Sequence, residues 1–214
     1  MPSIRHNPSL SSIRNLIFDL GGVILDLSVN HTLESFSQLS GIPREKVRQL
    51  FLSSTGFEEY EKGNMDDAEF RSFVRQTYSL QATDTEIDQC WNAMLRGLPA
   101  NKLDLLNSLK QDFRVLLLSN TNSIHLNYVN STMLPIGGNG SLDDYFHKAY
   151  YSHRMNKRKP DADIFEQVLA ENDIRAGETL FLDDNTLNVK GAARVGIKTV
   201  HLETPDFVLD YFHA

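Results

Sequence analysis

The sequence feature that most constrains the fold is a short apolar run that ends in a carboxylate. Residues 16–18 are leucine, isoleucine and phenylalanine, Asp19 follows them, and Gly21-Gly22 come two residues later. The apolar residues predict a buried strand, and the glycines predict a loop where the chain leaves the sheet. A buried aspartate without partners is costly, so we expect a metal, a cation or amide donors beside it. An aspartate that stabilises a turn or caps a helix fits this stretch equally well.

After Leu98-Pro99 the sequence alternates between short apolar runs and helical patterns. Residues 115–118 are apolar throughout, which is typical of a parallel strand buried on both faces. A helix that Pro160 opens precedes further strands at residues 179–182 and 198–202. A shorter strand is predicted at residues 147–151. This alternation predicts an α/β fold with a doubly wound parallel sheet, whose ligands bind at the carboxyl ends of the strands.

Between residues 31 and 97 the pattern is helical, without a strand signal. Apolar residues recur at spacings of three and four in four stretches, and turn signals such as Gly41-Ile42-Pro43 separate them. The segment therefore predicts a four-helix module inserted after the first strand. The four apolar stripes are Leu33, Phe36 and Leu39; Val47, Leu50 and Phe51; Phe70, Phe73 and Val74; and Ile87, Trp91, Met94 and Leu95.

Composition narrows the class of protein. The 214 residues carry a formal net charge of −7, which argues against a nucleic-acid binder. The apolar runs are far too short to cross a membrane, and residues 1–15, which lack a secretory-signal pattern, predict a loose N-terminal arm. The single cysteine, Cys90, excludes an internal disulfide, so we expect a cytoplasmic protein. Cys90 lies beside Trp91 in a helical pattern and is predicted to pack in a core. The sequence carries no signal for an oligomeric state.

Polar residues stand where the predicted strands end. Asp19 closes the first strand, Ser119-Asn120 the second and Asp183-Asp184 a later one, while Lys159 directly precedes a helix. Each group alone is also typical of a helix cap, a turn or a solvated charge. Together, three converging carboxylates predict a divalent cation, and oxygen ligands suit Mg2+. A hydroxyl, free amides and an ammonium predict an anion site, so the combination indicates phosphoryl transfer.

Four stretches, in their order along the chain, resemble the motifs of the haloacid dehalogenase-like hydrolases. The resemblance runs from residue 16 to the C-terminus and is greatest to the helical-cap phosphatases that include bacterial α-D-glucose-1-phosphate phosphatase. It implies a Rossmann-like core, residues 1–29 and 99–214, with an inserted four-helix cap, residues 30–98. The four stretches are Phe18-Asp19-Leu20-Gly21-Gly22-Val23; Leu118-Ser119-Asn120-Thr121; Arg158-Lys159-Pro160 with Ile164-Phe165; and Phe181-Leu182-Asp183-Asp184-Asn185.

The resemblance implies a Mg2+-dependent phosphomonoester hydrolase acting on a small phosphorylated metabolite, with a sugar phosphate as the expected substrate. Asp19 would be the nucleophile and form an aspartyl-phosphate that water hydrolyses. Asp19, the Gly21 carbonyl and Asp184 would hold Mg2+. The remaining implied roles are phosphate binding by Ser119, the Asn120 amide and the catalytic Lys159, orientation of Lys159 or of a water by Asp183, and support of the metal site by Asn188.

One position departs from the family pattern. Most phosphatases of the family carry a second aspartate two residues after the nucleophile, as general acid and base, and this chain has Gly21 there. Loss of such a group costs roughly two to four orders of magnitude in rate unless another group replaces it. His31, His125 and His153 are candidates for that replacement, although histidines without a visible partner are more often surface or packing residues. Two alternatives therefore stay open, a haloacid dehalogenase, which needs no metal, and a non-catalytic phosphate-binding protein.

Overall fold

The computed structural model describes residues 10–134 and 140–213 and has a parallel sheet at its centre. Its strands are β1 (Asn15–Phe18), β2 (Asp26–Leu27), β3 (Leu95–Gly97), β4 (Arg114–Ser119), β5 (Lys148–Tyr151), β6 (Thr179–Asp183) and β7 (Lys198–His201). Five of them form one sheet in the order β5-β4-β1-β6-β7, and every neighbouring pair is parallel. The predicted doubly wound α/β fold is confirmed, with β1 at the middle of the sheet.

Apolar side chains fill both faces of the central strands. Leu16 and Phe18 of β1 belong to one core cluster, and Ile17 between them belongs to the opposite one. This two-sided burial explains why the strands read as continuous apolar runs. Helices α6 (Ala100–Leu109) and α11 (Phe207–His213) pack on the first face, and α9 (Ala162–Asn172) and α10 (Thr186–Arg194) pack on the second.

The segment between β2 and β3 forms a separate helical cluster, which we call the helical insertion (residues 29–92). It contains α1 (Val29–Ser40), α2 (Arg44–Ser53), α3 (Gly56–Glu61), α4 (Asp67–Tyr78) and α5 (Asp84–Asn92). The sequence predicts four helices here and the structure has five. The additional helix is α3, which has six residues and is too short to show an apolar period. The insertion has its own aromatic core, in which Trp91, Phe57 and Phe70 are buried. The exact limits of the two domains stay a prediction.

A short ribbon joins the insertion to the sheet. Strands β2 and β3 pair antiparallel, with Asp26 opposite Gly97 and Leu27 opposite Leu95. The expectation that residues 31–97 hold no strand is wrong at their end, where β3 lies. Both β2 and β3 are too short, at two and three residues, for an alternating pattern to be visible. Both connections between the insertion and the sheet therefore lie side by side.

Three further expectations differ from the structure. Leu10 and Ile13 are buried in the main core, so the described part of the N-terminal arm is not loose, because apolar side chains gain from burial even in an irregular segment. Pro160 lies in a turn, and α9 begins only at Ala162 behind Asp161 as its N-cap. Residues 1–9 of the arm lie outside the described residues, and so do residues 135–139, where the Pro- and Gly-rich sequence of residues 134–140 predicts a loop.

The remaining described helical segments connect these elements. They are α7 (Ser123–Tyr128), a π-turn (Val129–Met133), a 3-10 turn (Leu142–Tyr145), α8 (Ser152–Met155) and a second 3-10 turn (Ala176–Glu178).

Candidate active site

Asp19 lies at the carboxyl edge of the sheet, one residue beyond β1. Its backbone N–H donates to the Leu182 carbonyl at 2.9 Å, so the pairing with β6 continues past the end of the strand. The chain then turns sharply, because the Leu20 carbonyl accepts from the N–H groups of residues 23–25. Gly22 takes a φ of 76° in this turn, a conformation that glycine adopts without strain. The carboxylate is therefore fixed at the edge where a doubly wound sheet binds its ligands.

Lys159 forms the centre of a buried charge cluster. Its Nζ lies 2.6 Å from Asp19 Oδ1 and 2.7 Å from Asp183 Oδ2, and all three side chains are buried. Burial lowers the pKa of Lys159, but the charges of Asp183 and Asp19 outweigh it, so the pKa is raised above its ordinary value. Burial raises the pKa of Asp19 to about 7, with Lys159 opposing the shift and Asp183 adding to it. Because one ammonium faces two carboxylates, the ionised cluster carries an excess of negative charge.

Asp183 is held by donors on both of its oxygens. The Asn185 N–H donates to Oδ1 at 2.7 Å, and Asn188 Nδ2 lies 3.1 Å from Oδ1 and 3.0 Å from Oδ2. The Lys159 ammonium completes this set at Oδ2. Asp183 is therefore positioned to orient Lys159, and Asn188 contacts Asp183 rather than the outer carboxylate, Asp184.

Oxygen ligands for a cation converge beside this cluster. Carboxylate oxygens of Asp19, Asp183 and Asp184 lie within 4.8 Å of one another. Partial burial, together with the charge of Asp183, raises the pKa of Asp184. In residues 10–134 and 140–213, no backbone N–H donates to the Gly21 carbonyl. The carbonyls that accept hydrogen bonds within the turn are those of Leu20 and Leu25. A close set of oxygens with excess negative charge fits Mg2+, which prefers oxygen ligands.

The glycine pair shapes the space around these oxygens. A Cβ on Gly22 would lie 2.1 Å from Asp184 Oδ2, so only glycine lets this carboxylate approach the turn. A Cβ on Gly21 would lie 3.2 Å from Leu27 Cδ2, a milder approach to a side chain that is partly exposed. The space beside Gly21 is therefore shared with Leu27.

Asn120 has a role that sequence reasoning missed. Its Nδ2 donates to the Lys159 carbonyl at 2.9 Å, and its Oδ1 accepts from the Lys159 N–H at 3.0 Å. The side chain thus fixes the peptide group of Lys159, while the sequence pointed only to the Asn120 main-chain amide. Ser119 is buried at the end of β4, and no described residue forms a side-chain hydrogen bond with its hydroxyl. That hydroxyl lies at the same strand end as Asn120, although Ser119 is not among the residues that line the cavity over the cluster.

A cavity of about 530 Å3 opens over the cluster. Leu27 and Val29, on the connection to the helical insertion, form its apolar wall. Its outer wall includes Glu61 of α3 and Arg158 of the segment before Lys159. The complete set of lining residues is Asp19, Gly21, Leu27, Val29, Glu61, Asn120, Arg158, Lys159, Asp184, Asn185, Thr186 and Asn188.

One set of contacts between the helical insertion and the sheet domain involves four consecutive residues, Tyr60 to Gly63, which we call the seam. Tyr60 Oη lies 3.1 Å from Ser123 Oγ, and Glu61 Oε2 accepts from Arg158 Nε at 2.8 Å. The Lys62 carbonyl accepts from Asn156 Nδ2 at 3.2 Å. A Cβ on Gly63 would lie 2.1 Å from the His153 carbonyl oxygen, so the two backbones nearly touch. Through Glu61, the seam contributes one residue to the lining of the cavity.

The candidate histidines lie away from the cluster. His125 is buried and stacked on Trp91, and burial lowers its pKa to about 4. His31 Nδ1 is 2.9 Å from Ser28 Oγ, and His153 Nδ1 is 3.0 Å from the Thr121 carbonyl. None of the three lines the cavity that contains Asp19. Cys90 is buried as predicted, and burial raises its pKa to about 11, which disfavours the nucleophilic thiolate.

Comparisons with known proteins bear directly on this site. The family model of the haloacid dehalogenase-like hydrolases matches residues 13–196. The D-ribitol-5-phosphate phosphatase of Bacteroides thetaiotaomicron is 31% identical over 192 residues, which are 89% of this chain and 92% of that protein. The match to the family model includes every strand of the sheet except β7.

Solved structures agree with the sequence relatives. A haloacid dehalogenase-family enzyme from Bacteroides thetaiotaomicron, in complex with magnesium and inorganic phosphate, superposes with a TM-score of 0.80 at 36% identity, covering 88% of this chain and 93% of that one. A predicted hydrolase of the same family from Porphyromonas gingivalis gives a TM-score of 0.81 at 33% identity, with 89% and 91% covered. In the described part of this chain, no helix is long and apolar enough to cross a membrane.

Proposed function

The chain belongs to the haloacid dehalogenase-like hydrolases, and on this premise we propose that it is a Mg2+-dependent phosphatase of small phosphomonoesters. The observation that carries the proposal is the excess of carboxylates over ammonium groups at the carboxyl end of the sheet. Asp19, Asp183 and Asp184 lie close together there, and one ammonium, that of Lys159, contacts the first two. Such a cluster is stabilised when a divalent cation enters it.

In the proposed mechanism, Asp19 is the nucleophile. One of its oxygens attacks phosphorus in line with the ester oxygen, which departs as the P–O bond breaks, and an aspartyl-phosphate forms. Water then attacks the phosphorus of this intermediate, releases inorganic phosphate and regenerates Asp19. Lys159 holds Asp19 in place for the attack and stabilises charge on the phosphoryl oxygens, with Asp183 fixing its ammonium.

The metal and phosphate ligands in this proposal follow from the oxygens and donors described above. Asp19, the Gly21 carbonyl and Asp184 would hold Mg2+, which supplies positive charge against the phosphate. Ser119, the Asn120 amide and Lys159 would bind the phosphoryl oxygens. We place the cap in residues 30–98 and the catalytic core in residues 1–29 and 99–214.

Proton transfer to the leaving group is assigned to water. Gly21 offers no side chain, and the acids lining the described cavity already have other partners or the proposed metal to bind. The leaving oxygen therefore takes its proton from solvent as it departs. We accordingly expect the rate to depend strongly on how acidic the leaving alcohol is.

The proposed substrate class is a sugar phosphate or polyol phosphate. A relative that matches most of this chain is named D-ribitol-5-phosphate phosphatase, which supports such a leaving group here. The cavity also offers polar groups beyond the phosphate position, including Glu61 and Arg158. The apolar wall formed by Leu27 and Val29 suits the carbon chain of a small metabolite.

The decisive experiment is hydrolysis of p-nitrophenyl phosphate by the wild-type protein and Asp19→Asn, with Mg2+ and with a chelator. The proposal predicts wild-type turnover that requires Mg2+ and is lost in the variant. Halide release from a haloacid without metal would instead support a dehalogenase. Phosphate binding without turnover by a folded, Mg2+-loaded protein would support a binding protein.

A further inference from the structure

The outer wall of the cavity contains an ion pair that joins the two parts of the chain. Glu61 Oε2 accepts from Arg158 Nε at 2.8 Å, and about a quarter of each side chain is exposed. Glu61 is the last residue of α3, whereas Arg158 directly precedes Lys159 in the sheet domain. Both side chains line the cavity that contains Asp19. The pair therefore stands where the part of a substrate beyond its phosphate would lie.

The charges along this cavity are unevenly distributed. Its cationic lining residues are Arg158 and Lys159, and both already contact carboxylates. A second acid, Glu58, lies 3.8 Å from Arg158 Nη1 and adds to the negative charge near the guanidinium. The described lining thus holds no cation that is free to bind a second anionic group on a substrate. A carboxylate or second phosphate there would meet two carboxylates, Glu58 and Glu61, against the single guanidinium of Arg158.

The same pair suits uncharged hydroxyl groups. The guanidinium has donors besides Nε, and the carboxylate of Glu61 has a second oxygen, so the pair offers both donors and acceptors. Leu27 and Val29 face the cavity from another side and can contact carbon atoms between hydroxyl groups. An electrically neutral ion pair beside an apolar wall recognises a neutral polyol better than an anion.

We propose that Glu61 and Arg158 are specificity-determining residues that select phosphomonoesters with an uncharged, polyhydroxylated leaving group. The inference rests on the proposed phosphatase function. Arg158 and Glu61 donate to and accept from the hydroxyl groups, and each cancels the charge of the other. Glu61 also excludes leaving groups that carry a second negative charge.

The test compares kcat/KM for glucitol 6-phosphate and 6-phosphogluconate, which differ at the far terminus by a hydroxymethyl group and a carboxylate. The wild-type protein is expected to favour the neutral ester by about tenfold or more. Glu61→Gln removes the closer of the two carboxylates from the guanidinium of Arg158, so the preference shrinks or reverses through a gain on the anionic ester. Glu61→Asp is expected to restore the wild-type preference.

Matched controls separate charge from folding. Glu59→Gln alters a neighbouring carboxylate of α3 that binds Asn64 outside the cavity, so the preference should stay as in the wild type. Glu61→Gln combined with Arg158→Gln removes both charges, so the anionic ester should gain nothing. Circular dichroism verifies the fold of each variant.

Two results would overturn the proposal. One is a wild-type protein that hydrolyses both esters equally well, and the other is an unchanged preference in folded Glu61→Gln. Failure of the wild type to hydrolyse either ester or p-nitrophenyl phosphate with Mg2+ would instead contradict the phosphatase function itself. Activity on p-nitrophenyl phosphate therefore distinguishes the failure of the specificity proposal from the failure of the enzyme proposal.

Discussion

Two buried lysines of this protein have opposite surroundings. Lys159 lies at the carboxyl end of the sheet between Asp19 and Asp183, both of which are buried. Lys102 of α6 is equally buried, but among the carboxylates of residues 10–134 and 140–212 its Nζ pairs with Asp26 alone, at 3.0 Å, and the side chain of Asp26 is 43% exposed. The first lysine faces more carboxylates than it can neutralise, while the second belongs to a balanced pair.

The difference shows how a functional charge cluster can be told from a structural one. A buried lysine with one exposed partner anchors a connection, and here Asp26 belongs to β2 at the start of the helical insertion. A buried lysine among several carboxylates leaves negative charge that a cation can compensate. Burial alone would not distinguish Lys102 from Lys159, whereas the balance of nearby charge does.

The largest expected effect is on activity at Lys159. Lys159→Met removes the ammonium that holds Asp19 and the phosphoryl oxygens, so kcat/KM on p-nitrophenyl phosphate should fall by about a thousandfold. Lys102→Met is the matched control, because it makes the same change at a buried lysine that does not line the cavity. Equal losses in the two folded variants would contradict the distinction between the two lysines.

A smaller effect should follow from moving Asp184. Gly22→Ala places a methyl group against Asp184 Oδ2 and forces a residue with a side chain into a positive φ. The apparent Mg2+ affinity, measured by metal titration of activity, should fall by about a hundredfold. Gly21→Ala has only the partly exposed Leu27 to displace, so it should retain most of the affinity. Similar affinities in both variants would argue against Asp184 as a metal ligand.

Substitutions in the Lys102–Asp26 pair should change the free energy of unfolding rather than the activity. Asp26→Asn leaves the Lys102 ammonium buried without a carboxylate and should lower the free energy of unfolding by about 2–3 kcal/mol. Lys102→Met leaves only the half-exposed Asp26, which water can solvate, and should cost less. Urea denaturation of both variants measures the difference. A greater loss in Lys102→Met would show that burial of the lysine stem, and not its charge, dominates.

The excess charge around Lys159 should also appear as a pH dependence. Without Mg2+, burial raises the pKa of Asp19 from 3.8 to about 7, so the folded protein keeps a proton there that the unfolded chain releases. This contribution to the free energy of unfolding is present below pH 3.8 and is lost as the pH rises towards 7. The amide side chain of Asp19→Asn does not ionise, so the variant has no such contribution to lose. Its free energy of unfolding should therefore rise relative to that of the wild type as the pH increases from 3.8 to 7. Denaturation in chelator at several pH values measures the gain, and a constant difference would contradict the raised pKa.

Much of the sheet and its site could be predicted from the sequence. Strands buried on both faces give continuous apolar runs, and the polar residue after each run marks the ligand-binding edge. This pattern places Asp19 and Asp183 at one edge, while Lys159 is predicted to join them from the start of a helix, and the structure has both carboxylates in contact with the Lys159 ammonium. Their catalytic roles stay a proposal.

The contacts that join distant segments could not be predicted. Asn120 looks like an ordinary residue after a strand, but its side chain binds the peptide of Lys159, 39 residues away. The Glu61–Arg158 pair spans 97 residues, and neither residue carries a local pattern that identifies its partner. Helix α3 and the ribbon of β2 and β3 were missed because segments of two to six residues are too short to show a period.

The role of Asp19 as the nucleophile is tested most directly by covalent trapping. Wild-type protein is mixed with a labelled phosphomonoester and Mg2+, quenched in acid during turnover, reduced with borohydride and digested for mass spectrometry. Reduction converts an aspartyl-phosphate to homoserine. We therefore expect homoserine at position 19 of the wild-type protein and none in Asp19→Asn. Turnover with the modification at another residue, or an Asp19→Asn variant as active as the wild type, would contradict it.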